Sequence, residues 1–87
     1  MARCDKLLAE ARNNPKGLRF AELCYLAQCH GFTLKRQKGS HHQYTREGLT
    51  RPLNFQEAKN GMAKPYQVKD LLAAIDELDG EDNDEQV

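Results

Sequence analysis

The sequence predicts a small α+β domain. A three-stranded antiparallel sheet is covered on one face by two helices in the order α-β-β-β-α, and an extra short helix stands in front. Three observations carry this reading. Segments 19–30 and 65–78 both place apolar residues at helical spacing. Three short extended segments lie between them, separated by glycine-containing turns. The chain has 87 residues, 39% of them hydrophobic, which suits one domain with a small core.

Residues 3–13 are predicted to be helical, with Leu7, Leu8 and Ala11 on one side. That helix stops at Asn13-Asn14-Pro15, because a residue before proline is pushed out of helical backbone. Pro15-Lys16-Gly17 is a connector. In 19–30, Phe20, Leu23, Cys24 and Ala27 fall at i, i+3, i+4 and i+7, with Leu26 and His30 beside the stripe. Gly31 follows, where a helix end takes left-handed backbone. Residues 32–37 alternate, putting Phe32 and Leu34 on one face, and Gly39-Ser40 breaks the run. Residues 41–46 form the second extended segment, Glu47-Gly48 turns the chain, and 49–55 form the third. Pro52 marks that third segment as an edge or a strand start. A polar loop over 56–64 contains Asn60-Gly61. Pro65 then sits at a first helical position, and Val68, Leu71, Leu72, Ile75 and Leu78 give the cleanest amphipathic stripe in the chain. Gly80 is predicted to end this helix. The organisation expected is therefore an N-terminal helix and connector over 1–17, a domain over 18–79, and a disordered acidic tail over 80–87. One sheet face covered by the two striped helices is the topology of the double-stranded-RNA-binding domain.

The formal net charge of zero hides an asymmetry. Residues 1–69 hold all 13 bases and only five acids, a formal +8, whereas 70–87 hold eight acids and no base. A basic body attracts polyanions. The acidic end reads as a solubilising tail, or as a competitor that folds back on the basic surface and mimics RNA. No apolar run approaches the ~18 residues of a membrane span, and no repeat is visible. Met1-Ala2-Arg3-Cys4-Asp5 leads straight into a charged amphipathic segment with no signal-peptide pattern, so a cytoplasmic protein is expected. Cys4, Cys24 and Cys29 are odd in number, which fits a reducing compartment better than a disulfide framework.

The densest chemical signal is Lys35-Arg36-Gln37-Lys38-Gly39-Ser40-His41-His42. Lys35, Arg36 and Lys38 supply the positive field that binding to a phosphate backbone needs. Gly39 lets the backbone N–H groups near Ser40 approach a phosphate closely. Imidazole accepts and donates protons near neutral pH. RNA carries its own nucleophile, the 2′-hydroxyl, so one imidazole and a few cations suffice for cleavage without a metal. Adjacent strand residues point to opposite faces, and parity places His42, not His41, on the face of Tyr44. The same residues equally describe a solvated basic hairpin. Cys24, Cys29, His30, His41 and His42 are zinc-ligand types. However, five residues of helix separate Cys24 from Cys29 by about 140°, and Cys24 on the apolar stripe reads as a small buried hydrophobe. Lys64 before Pro65 places a cation at a helix N-terminus. This is either an anion site or plain helix initiation with Tyr66 packing nearby. Arg46, Arg51, Lys59 and Lys69 read as a diffuse basic surface.

The run Gly31-Phe32 through Leu34-Lys35-Arg36-Gln37-Lys38-Gly39-Ser40-His41-His42-Gln43-Tyr44 resembles the HicA, or YcfA-like, toxin family. So does Lys64-Pro65-Tyr66-Gln67-Val68 leading into an amphipathic helix. The resemblance covers roughly residues 18–79. It implies a type II toxin–antitoxin module: a double-stranded-RNA-binding-like fold, cleavage of mRNA without the ribosome, and a HicB-like antitoxin that covers the active surface. It assigns the catalytic histidine to His42 and the turn that positions it to Gly39 and Ser40. Lys35, Arg36, Lys38 and Lys64 become backbone binders, and His41 has a supporting role. No metal, small-molecule cofactor or membrane is implied. One departure stands out. Many members carry Val-Pro-x-His after the third strand, whereas Arg51-Pro52-Leu53-Asn54-Phe55-Gln56 has no histidine. This chain must do without that imidazole or use Lys64. The alternatives are a non-catalytic RNA-binding module of the same fold and a protein whose basic face meets an acidic partner. A helix-turn-helix is excluded, because three extended segments separate the second and third helices.

Overall fold

The computed structural model describes residues 3–84, with side chains as far as Leu78. Helix α1 (Arg3–Asn13) is followed by a single 3₁₀ turn (Pro15–Gly17) and α2 (Phe20–Cys29). Strands β1 (Thr33–Lys38), β2 (His41–Thr45) and β3 (Leu53–Gln56) come next, and α3 (Pro65–Asp84) closes the fold. The strands lie in the order β1-β2-β3, antiparallel throughout, with β2 in the centre. This is the predicted α+β layout of a double-stranded-RNA-binding-like fold.

The core forms where the two helical stripes meet one face of the sheet. Leu23, Leu26 and Ala27 from α2 and Val68, Leu71, Ala74 and Ile75 from α3 are all buried. They join Phe32 and the inward strand residues Tyr44, Leu53 and Phe55 in one cluster. Asn54, between Leu53 and Phe55, is exposed, as the two-residue period of a strand requires. Both ends of α2 are closed by specific bonds. The Arg19 N–H donates to Glu22 Oε1 (2.8 Å) at the start. At the end, Gly31 takes φ +86. Its N–H reaches the Gln28 carbonyl (3.1 Å), and the Phe32 N–H reaches that of Ala27 (3.0 Å). This pair of bonds is a Schellman motif, and it drops Phe32 directly into the core.

The entries to α2 and α3 are joined by a short backbone pairing. The Phe20 N–H donates to the Gly61 carbonyl (3.0 Å), and the Ala63 N–H donates to that of Leu18 (2.9 Å). Arg19 and Met62 form the bridge between them.

Three sequence expectations need correcting. The third strand begins at Leu53 rather than at residue 49. Pro52 has no N–H to pair, and the Leu49 N–H is spent in a turn on the Arg46 carbonyl (3.1 Å). Helix α3 continues through Gly80 to Asp84. One glycine costs a helix interior only about 1 kcal/mol, so it does not compel a stop. The backbone of 80–84, expected to be disordered, is thus helical, and residues 85–87 lie outside the described residues.

The third correction concerns the cysteines. Cys4 and Cys29 form a disulfide across 25 residues, with Cα atoms 5.9 Å apart, and Cys24 is free. The pairing comes from tertiary packing: α1 lies against α2, with its start beside the end of α2. The other end of α1 is held by Arg12, whose guanidinium donates two bonds to Asp76 of α3 (2.6 and 3.1 Å). Between the two anchors Leu7 and Ala11 are buried.

Reduction, or Cys4→Ser, is expected to cost about 2–4 kcal/mol, the usual worth of closing a loop of this length. Denaturant melts with and without reductant check this, and an unchanged midpoint would show that the bond does not hold α1. The Arg12 hydrogen bonds hold the Asp76 carboxyl below the usual carboxylate range. A depressed folded pKa means that the pair stabilises above the ordinary aspartate pKa near ~4 and is lost as pH falls below it. Asp76→Asn should therefore flatten the acid limb of a stability–pH curve. The change should stay below about 1 kcal/mol, because both side chains are exposed.

Candidate nucleic-acid interface and imidazole site

The tip of the β1–β2 hairpin is a two-residue loop, Gly39-Ser40, between the paired residues Lys38 and His41. Gly39 has φ +59, and a Cβ there would meet nothing within 4 Å. The glycine is needed for the backbone conformation of the turn and leaves the loop open to an incoming group.

His42 follows the turn on β2 and is half-buried. Its ring stands edge-on against Phe20 at the start of α2, with centroids 5.0 Å apart and planes at 64°. It shares the helix-covered face with Tyr44, as parity predicts. Its Nδ1 lies 3.1 Å from the Ser40 carbonyl. A carbonyl can only accept, so Nδ1 carries the hydrogen. In the neutral ring Nε2 then holds the lone pair and is the nitrogen left for proton transfer.

A polar chain links the turn to α3. Gln56, at the end of β3, pairs across the sheet with His41. Its side-chain N–H donates to Ser40 Oγ (3.2 Å), and its amide oxygen accepts from Lys64 Nζ (3.2 Å). Its backbone N–H donates to Gln67 Oε1 (2.9 Å), which gives the oxygen of the buried Gln67 side chain a partner. Lys64 is held just ahead of α3. Tyr66, in the first turn, is 60% exposed and so does not supply the packing that ordinary helix initiation would use.

The cations of β1 divide. A bulge lies between Leu34 and Arg36 and leaves Lys35 without a cross-strand partner. Before it, Leu34 opposes Tyr44. After it, Gln37 opposes His42, Arg36 opposes Gln43 and Lys38 opposes His41. Directly opposed residues share a face. Arg36, Lys38 and His41 therefore lie on the open face, away from His42. Simple alternation from Leu34 would have put Arg36 and Lys38 on the covered face. The structure thus bonds His42 to the Ser40 carbonyl of the turn and ties Lys64 to the Ser40 hydroxyl through Gln56. It places Arg36, Lys38 and His41 behind the turn, with Lys35 at the bulge, and all four of these are exposed. Gln56 and Phe20 are the site residues that sequence reasoning missed. Phe20 was visible only as a core residue, and Gln56 has meaning only once the β2–β3 register is known.

Two titratable groups in the core near the site, Tyr44 and Cys24, are shifted upward. Burial, reinforced by a hydrogen bond with Cys24, pushes the Tyr44 hydroxyl up to about 12. Burial also raises the Cys24 thiol. Cys29 is committed to its disulfide, so the cysteine pair weighed as zinc ligands is not available. Among the described residues no group of three or more His, Cys, Asp or Glu is placed to hold a metal ion. Among them, too, no helix is long and apolar enough to cross a membrane.

A basic hairpin on an α-β-β-β-α sandwich, with an imidazole beside its turn, is a double-stranded-RNA-binding-like layout. The family described as HicA toxin of bacterial toxin-antitoxin matches residues 20–76. The chain belongs to the HicA toxin family, so it is a toxin of a toxin–antitoxin system, a class that has an antitoxin partner. No curated protein and no solved structure matches it.

In the folded protein Cys24 should react with iodoacetamide more slowly than in urea, since burial raises its thiol and the thiolate is the reactive form. Mass spectrometry of timed aliquots reads this out, and equal rates would show an accessible, ionisable thiol.

Proposed function

We propose that this toxin is a metal-independent endoribonuclease that cleaves mRNA in the cytoplasm and is neutralised by a HicB-like antitoxin. The observation that supports this most is that the Gly39-Ser40 turn bonds the His42 imidazole at Nδ1 and is joined to Lys64 through Gln56. His42 Nε2 takes the proton of a 2′-hydroxyl while water protonates the leaving 5′-oxygen, or, in the imidazolium, gives its proton to that oxygen while water takes the hydroxyl proton. The 2′-oxygen forms its bond to phosphorus as the bond to the 5′-oxygen breaks. The products are a 2′,3′-cyclic phosphate and a free 5′-hydroxyl. Gly39 and Ser40 hold the phosphate through the turn backbone. Lys64 neutralises charge on the phosphate from the α3 side.

Lys35, Arg36, Lys38 and His41 act on the strand as it passes over the turn. A hairpin is thinner than the Debye length of about 8–10 Å, so cations on either face contribute to the field at the tip.

The test uses purified protein and RNA in excess EDTA. Cleavage is expected to survive chelation and to fall at least about 100-fold in His42→Ala, the usual scale for losing a general acid or base. Circular dichroism confirms that the variant is folded. Equal cleavage by His42→Ala removes the site assignment. Steeply salt-dependent binding that leaves RNA intact would make the protein a non-catalytic RNA-binding module of the same fold.

A further inference from the structure

Gln56 touches both halves of the site: the turn, through Ser40, and the ammonium of Lys64. It is itself fixed from below, because its backbone N–H is held by Gln67 of α3. The side chain is well chosen for this position. A carboxamide offers a donor on one side and an acceptor on the other, and it carries no charge. Its oxygen takes one of the three Lys64 hydrogens, leaving two for another acceptor. Among the described residues the side-chain ion pairs are Arg12–Asp76 and Arg51–Glu77, so no carboxylate within ion-pair distance cancels Lys64.

We infer that Gln56 is a positioning residue: it aims the Lys64 ammonium at the phosphate beside the Gly39-Ser40 turn while leaving its charge intact. The inference rests on the RNA-cleaving reading above and deepens it. An untethered lysine spreads its ammonium over many rotamers. A glutamate at position 56 would hold Lys64 equally well but pair with it, removing one phosphate contact. A neutral tether orients the cation without discharging it.

The experiment measures binding of a single-stranded 2′-O-methyl RNA oligonucleotide, which lacks the nucleophilic hydroxyl, across a salt series. Gln56→Glu, Gln56→Ala, Lys64→Ala and the double alanine variant are compared with wild type, and thermal melts check folding. Gln56→Glu, nearly isosteric, is expected to lower the slope of log affinity against log salt by about 0.7, the value of one contact on a single strand. Lys64→Ala should lower it equally. Gln56→Ala should weaken binding several-fold, yet add nothing in the Lys64→Ala background, because its effect passes through that ammonium. A merely structural glutamine would weaken both backgrounds alike. An unchanged slope in Gln56→Glu, or a full Gln56→Ala effect without Lys64, overturns the inference alone. A wild type that binds no RNA overturns the nuclease reading and this inference together.

Discussion

Two backbone hydrogen bonds set the relative position of everything at the site. They run between residues 18–20 and 61–63, where the chain enters α2 and α3. Leu18 and Ala63, at one end of this pairing, are buried, so water does not compete for the bond they share. Phe20 is the ring against which His42 stands, and Ala63 immediately precedes Lys64. The pairing therefore fixes the floor under the imidazole and the base of the lysine in one step. Gly61 makes it possible, since its φ of +80 lets the chain turn on the Ala58 carbonyl and arrive antiparallel to residues 18–20. The sheet contributes the other side of the site through the register of His42 with Phe55 and of His41 with Gln56.

The bulge at Lys35 decides how charge is distributed around this frame. Without it, the positive side chains of β1 would crowd the covered face beside Leu34. With it, Arg36 and Lys38 turn away, and neutral Gln37 sits across from His42. The imidazole is thus spared a cation directly opposite it, while the hairpin as a whole stays strongly basic. In the nuclease reading the division is useful. Cations behind the turn would draw the strand in from the open face, and Lys64 stands on the α3 side of the turn.

The layer order, the helical stripes and the closing glycine of α2 were legible in the sequence because each is written in local spacing. Phe20, Leu23 and Ala27 recur at helical intervals, and Gly31 stands one residue past the helix cap. The face on which His42 stands was legible too, because strand parity ties it to Tyr44. What stayed hidden depends on contacts between distant segments. The Cys4–Cys29 bond follows from how α1 packs on α2, which a count of cysteines does not contain. The bulge has no signature in a run as uniformly exposed as Thr33–Lys38. Gln56 looked like the start of a polar loop, because its partners Ser40, Lys64 and Gln67 lie 8 to 16 residues away. The end of α3 was misjudged for a local reason: glycine was given more power to stop a helix than its modest cost supports.

Helix α1 lies outside the 20–76 region that carries the family match, yet it is built into the core. A domain of that size buries too little apolar surface for a comfortable margin. Leu7 and Ala11 extend the core across α2 and α3, and the disulfide and the Arg12–Asp76 pair hold them there from opposite ends. The connector from α1 leads directly into Leu18, one half of the backbone pairing beneath the site. An element with no side chain at the imidazole therefore acts on it through the covalent chain. If α1 were released, Leu18 would lose the anchor on its N-terminal side, two residues before the Phe20 ring against which His42 stands.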